Sequence, residues 1–462
     1  MSANKHSVAT AVKGAAVTAA ATGAGPGRRG RRRSGRVGRV ERVGRVVVLM
    51  GVVSLFTDLS AEMVNAILPL YVIGELGFSP LQYGFVDGFY QGVTAAVRIV
   101  GGLAADLTRR PKLVSTIGYG LSAVCKLALL PAQGFVALSA VISADRLGKG
   151  LRTGPRDAII AATAKPRSYG LAFGTHRALD TVGAMTGPLV AFVILAQLPH
   201  GYSALFLLSF SIAVTGVAIL VLAVPDVRPG RHAQRVAAAK VHQPGIPCVG
   251  CKGTACGGNL HRGPVGLRVA ARTAVGLLAR RDLARVVAAA GLLSVATVGD
   301  GFLYLALRDR AGVPATLFPL LYVGTNVVFL ALAVPLGRLA DRRGRRWIFL
   351  GGHLLAGAAY LLLLTSLPRV LLVTAVLGLL GLYYAATDGV VSALGSQLLE
   401  AGVRATGLSI VQTAVAGGRL LAAVGFGAVW TEAGQQRSLL VYGLAMWVAV
   451  GGGAVLLRGV EE

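Results

Sequence analysis

Acidic residues are scarce in this chain. Its 462 residues hold 19 Asp and Glu against 46 Lys and Arg, and charged residues of either sign make up only 14%. With 54% hydrophobic residues and a mean hydropathy of +0.67, that scarcity excludes both a disordered polyelectrolyte and an ordinary soluble domain. Cysteine is nearly absent: the four present cannot form a disulfide scaffold. Also missing are a nucleophile–His–acid arrangement, a dinucleotide fingerprint and the G-x4-G-K-[ST] phosphate loop. Neither an enzyme nor an ATP-driven pump is supported, and no cofactor is implied.

What the chain has is apolar length. Twelve stretches are long enough to cross a bilayer, at about 46–73, 83–105, 112–131, 134–160, 169–197, 203–224, 284–307, 315–337, 346–366, 369–395, 404–430 and 438–457. The predicted fold class is an all-α membrane protein with twelve transmembrane helices. Segment 225–283, which has no long apolar run, divides them into six-helix halves at 46–224 and 284–458, behind a basic tail at 1–45.

The net charge of +27 is concentrated in the connections. Residues 1–45 hold eleven Lys/Arg and one acid, and residues 225–283 hold ten and two. Connections near 106–112, 165–167 and 338–346 are basic, while those near 75–82, 131–133 and 198–202 contain no Lys or Arg. This is the positive-inside pattern, and it places both termini and the central loop in the cytoplasm. It also accounts for the positive charge without nucleic acid. The outer connections of the second half fit less cleanly, since Arg308, Arg310, Arg369 and Arg437 lie there.

The halves repeat weakly. Gly102–Asp106 recurs as Gly337–Asp341 and Arg167–Leu171 as Arg404–Leu408, at offsets of 235 and 237, and Asp58 pairs with Asp300 at 242. Duplicated halves around a midplane cavity are a transporter architecture. The segment Gly337–Arg346, G-R-L-A-D-R-R-G-R-R, closely resembles a cytoplasmic loop motif of the major facilitator superfamily. The first copy, Gly102–Lys112, is degenerate. Arg146, Lys149 and Gly150 are similar to that family's span-4 motif. Gly183–Pro188 resembles its antiporter motif, although Ala191 and Phe192 replace the two closing glycines. The resemblance covers 46–458. It implies proton-coupled antiport by alternating access, with Arg146 linked to proton exchange. It also implies a conformational lock at Asp106, Gly337, Asp341, Gly344 and Arg345.

Charges within apolar spans are retained only where they pair, face water or act. Asp58 and Glu62 share one helix face in span 1 and are candidates for a proton site or a cation ligand, with Asn65 on the same stripe. Arg98 in span 2 is a candidate carboxylate partner, and Asp87 lies nearer the outer end. Span 4 holds the densest insert, Asp145–Asp157, in which Arg146, Lys149, Arg152 and Arg156 fall on one face. They could bind an anionic group, form inter-helix pairs that gate access, or simply pair near the headgroups. Span 5 carries His176, Arg177 and Asp180. Asp300, Asp388 and Arg419 are the second-half candidates, the last two able to pair with each other. Cys248, Cys251 and Cys256, with His242 and His261 nearby, form a weak metal candidate, because the spacing matches no standard zinc site.

The expected function is proton-coupled export of a small molecule by a monomer in the plasma membrane, with Asp58, Glu62, Asp300, Arg146 and Arg98 as coupling residues. A metal-ion exporter using Asp58 and Glu62 as ligands, or a non-transporting membrane receptor, are the alternatives.

Overall fold

The computed structural model describes residues 44–108, 110–164, 169–226, 276–399 and 404–460. Most of the basic tail lies outside them, as do the cysteine cluster at Cys248, Cys251 and Cys256 and the side chains of Arg98 and Asp106.

The first half comprises α1 (Arg45–Asn65), α2 (Pro80–Thr108), α3 (Pro111–Ala128), α4 (Phe135–Thr163), α5 (Tyr169–Gln197) and α6 (Tyr202–Ala223). The second comprises α7 (Arg281–Val295), α8 (Asp300–Ala311), α9 (Phe318–Arg343), α10 (Arg345–Leu362), α11 (Arg369–Gln397), α12 (Arg404–Ala433) and α13 (Gln435–Leu456). With α7 and α8 as one interrupted span, these helices fall at the twelve expected positions. Length and hydropathy alone mark eight stretches as able to cross a membrane. The charged insert keeps α4 off that score, and the eighteen-residue α3 and α10 carry Lys112 and Lys126, and Arg345, Arg346 and His353.

The two halves pack alike. α1 lies against α5 and α6, and α4 against α2 and α3; in the second half α7 lies against α12 and α13, and α11 against α9 and α10. Contacts across the seam join α2 to α12 and α5 to α9, which are symmetry mates in exchanged roles. Large apolar side chains such as Val136, Leu222 and Val448 point outward, as a lipid-facing surface requires.

The first spans of the halves, Arg45–Glu75 and Arg281–Ala311, are each 31 residues long and start 236 positions apart. That register puts Ser294 in the place of Asp58 and Val64 in the place of Asp300. The expected equivalence of Asp58 and Asp300 therefore fails. Asp58 lies before the break in its span, whereas Asp300 opens α8 beyond the break in its own. Both spans are interrupted. Pro69, which has no N–H to donate, separates α1 from a π-helix at Leu70–Glu75. In the second half, Ala296–Gly299 leave the helix, and the freed Val298 N–H donates to the Tyr360 hydroxyl at 3.0 Å. Non-helical backbone at this depth is tolerated because protein groups satisfy it.

The seam is closely packed at the end bearing the 76–79, 312–314 and Gly434 connections. Gly84 packs directly on the Ala423 carbonyl, and Gly427 on the Pro80 carbonyl. Neither site has room for a Cβ, so small residues let the backbones meet. Above them, Tyr83, Phe302, Phe426 and Trp430 form an aromatic plug, with Phe302 4.7 Å from Tyr83 and 5.0 Å from Phe426 between ring centroids. Gly84→Val should force α2 and α12 apart at this end. A cysteine introduced at Tyr83 in that variant should label with a membrane-impermeant maleimide, while the same cysteine in the parent chain should not.

Candidate functional site

A cavity of about 740 Å³ lies on the seam. α1, α2 and α4 supply Glu62, Asn65, Tyr90, Gln91, Arg146 and Lys149 to one wall. α8, α9, α11 and α12 supply Asp300, Tyr304, Tyr322, Asn326, Tyr384, Asp388, Gln412 and Arg419 to the other. Along α12 the lining runs from Arg419 to Leu408, roughly 17 Å at a helical rise of 1.5 Å per residue. Leu408 lies one turn from the start of that helix, so the cavity reaches toward the end opposite the aromatic plug.

Behind the first wall, α4 remains one helix through Gly148, Gly150, Gly154 and Pro155. Its bases therefore keep their common face and meet acids from several helices. Arg152 donates to Asp58 on α1 at 3.2 Å, and Lys149 lies 4.0 Å from Asp58 and 3.8 Å from Glu62. Glu62 also accepts a hydrogen bond from Asn65 at 3.0 Å. Arg146 pairs with its neighbour Asp145, which Lys126 of α3 also reaches at 2.8 Å. Arg156 pairs with Asp157 at 3.0 Å and lies 3.9 Å from Asp180 on α5, which Arg177 approaches at 3.2 Å. All these partners belong to the first half. Charges of both signs brought together in this way satisfy one another inside a low-dielectric bundle, where a lone charge would be costly.

His176 is buried, with Nε2 2.9 Å from the Ser54 hydroxyl, itself 3.3 Å from that of Tyr119. The Arg152 guanidinium lies over the Tyr119 ring at 4.4 Å. Thus α1, α3, α4 and α5 are held by one polar network.

The second half is built differently. Tyr384 donates to Asp300 at 2.7 Å. Arg419 stands among Tyr383, Tyr384 and Asp300. Asp388 and Arg419 both line the cavity and make no ion pair with each other. A smaller space of about 60 Å³ on the plug side of the cavity is lined by Asp87, Gly299, Asp300, Tyr322, Tyr384 and Arg419. Asp87 comes from α2 of the first half and rests against Gly299, so it meets Asp300 and Arg419 across the seam. At the far end of α9, Asp341 accepts from Arg345 at 2.6 and 3.1 Å. Gly344 between them has φ 94°, a left-handed conformation that glycine adopts without strain.

Sequence reasoning passed over Lys126, Tyr90 and Tyr384 and set Asp87 at the periphery. A lone lysine deep in an apolar helix was the available sign for Lys126. The tyrosines carry no such sign, because an aromatic residue in a span is ordinary.

The profile of the Major Facilitator Superfamily matches residues 50–423. An uncharacterized MFS-type transporter of Methanocaldococcus jannaschii is 25% identical over 410 residues, covering 88% of this chain and 93% of its own length. The multidrug resistance protein MdtH of Cronobacter sakazakii is 29% identical over 129 residues, covering 28% of this chain and 32% of its own. The crystal structure of the nucleoside transporter NupG superposes with a TM-score of 0.71 at 14% identity, covering 90% of this chain and 100% of that one, a likeness of fold alone. A profile that spans both halves, on a chain folded as a known transporter is folded, places this protein in the Major Facilitator Superfamily of membrane transporters.

Proposed function

We propose that this transporter is a proton-coupled antiporter that exports a small molecule from the cytoplasm. One observation carries the proposal. The Asp58 and Asp180 carboxyl groups stand against each other behind the cavity wall. Carboxyl groups that close readily share a proton. Lys149 links this pair to the cavity, lying near both Asp58 and Glu62 without hydrogen-bonding either. A proton arriving at Asp58 or Glu62 weakens the hold on Lys149 and frees that ammonium to turn toward the cavity. Proton occupancy is thereby coupled to the charge that cargo meets. Asp300 and Asp87, facing each other across the seam with Arg419, offer a second place where a proton changes how the halves attract.

The aromatic plug and the reach of the cavity along α12 correspond to a state open to the cytoplasm. Closing that end and opening the plug is the rocking of six-span halves that alternating access requires. Export is supported by the antiporter-like Gly183–Pro188 segment and by similarity to a multidrug resistance protein over part of the chain. On the same reading the protein works as a monomer in the plasma membrane, with both termini in the cytoplasm.

The test is a proteoliposome loaded with a pH-sensitive dye. Added solute that enters in exchange for protons should make the lumen more alkaline. Acidification would indicate symport, and solute entry with no pH change would overturn proton coupling.

A further inference from the structure

The charges around the cavity do not all cancel locally. Asp58 and Glu62 are matched by Arg152 and Lys149. Asp145, in contrast, is shared by Lys126 and Arg146, so one carboxylate meets two buried cations and one positive charge is left over. It is left at the cavity wall, because Arg146 and not Asp145 lines the cavity. The Arg146 Nε is buried and has no hydrogen-bond partner. Its guanidinium lies over the Tyr90 ring at 3.8 Å, a geometry that holds the group in place. A buried donor without an acceptor costs free energy until an acceptor arrives.

Across the cavity the imbalance has the opposite sign. Asp87 and Asp300 line the small space on the plug side with Arg419 as its one base. Asp388 on α11 is exposed to the cavity and makes no ion pair among the described residues. One wall therefore offers an unfilled cationic position and the other an unfilled anionic one.

We propose that the cavity takes zwitterionic solutes, with a carboxylate docking on Arg146 and Lys149 and an ammonium docking on Asp388. A solute of one charge would satisfy one wall and leave the other group unpaired, and a site built for polar contacts discriminates strongly against partners that leave them unmade. The volume of about 740 Å³ lies in the range of pockets for drug-sized ligands, so the expected zwitterion is larger than a single amino acid. The inference deepens the transport reading above and rests on it for the cavity being the cargo site.

The probes are matched triplets: an aromatic dipeptide, a tripeptide and an aminoacyl-aminohexanoate. Each is used as the free zwitterion, the N-acetyl form and the C-terminal amide. Binding is read as thermal stabilisation of the purified full chain, and transport as counterflow in proteoliposomes. At least one zwitterion should bind about tenfold or more tighter than both of its singly charged forms, the factor expected from one lost charge-assisted contact. In Asp388→Asn the N-acetyl form should bind as well as the zwitterion. In Lys149→Gln, which removes the looser cation and leaves Arg146 and the Asp145 cluster intact, the gap between zwitterion and amide should narrow without closing. Equal or tighter binding of singly charged forms by the parent chain, no binding of any zwitterion, or a preference that survives in Asp388→Asn would each overturn the inference. Zwitterion-selective binding with no counterflow would uphold the ligand class and overturn the transport reading.

Discussion

Asp145→Asn is expected to lower the stability of the folded protein by roughly 3–5 kcal/mol, the typical result of removing one member of a buried ion pair. Asp145 is the single carboxylate between Lys126 and Arg146, and all three side chains are at most 9% exposed. Without it, two cations face each other in a cluster that joins α3 to α4. Thermal unfolding in detergent reads the loss. Adding Lys126→Met should restore much of it by removing one of the stranded charges. A single variant that melts like the parent chain would show that the cluster is already neutralised by water or lipid.

The second large effect is functional. Asp58→Asn should abolish solute accumulation driven by a pH gradient while leaving counterflow, which needs no coupling, near the parent rate. Asn still accepts the hydrogen bond from Arg152 at Asp58 Oδ1, so the contact between α1 and α4 is kept. What is lost is the carboxyl that faces Asp180 and lies near Lys149. Gradient-driven accumulation at the parent level would remove Asp58 from the coupling pathway and shift attention to the Asp87–Asp300 seam. Loss of both activities would mean that the substitution damages the bundle itself.

The scaffold was legible in the sequence because bilayer thickness sets span length. Apolar runs located the helices to within a few residues. The site was legible only in part. Arg146, Lys149 and Arg152 stand out as charges in an apolar run, and Asp300 sits between two glycines. Their partners are set by tertiary packing: Ser54 reaches His176 over 122 positions, and Asp58 reaches Arg152 over 94. No local pattern encodes such pairings. The repeat register failed at Asp58 and Asp300 for a related reason. Two isolated acids are not an alignment, and the equal lengths of the first spans fix the register six residues away from the one those acids suggest.

Each half thus carries an elbow in its first span, at Pro69 and at Ala296–Gly299. Beyond each elbow a short rod, Leu70–Glu75 or Asp300–Ala311, reaches the plug side, and the Pro69 ring lies against Gly301. Joints of this kind uncouple the rods beyond them from rigid movement with the rest of each half as the halves rock. The Lys126–Asp145–Arg146 and Arg152–Asp58–Lys149 clusters are each built wholly within the first half and need not break as the plug opens. Opening would then strip apolar contacts and leave those buried charges in place, so its rate should respond to bilayer thickness more than to salt.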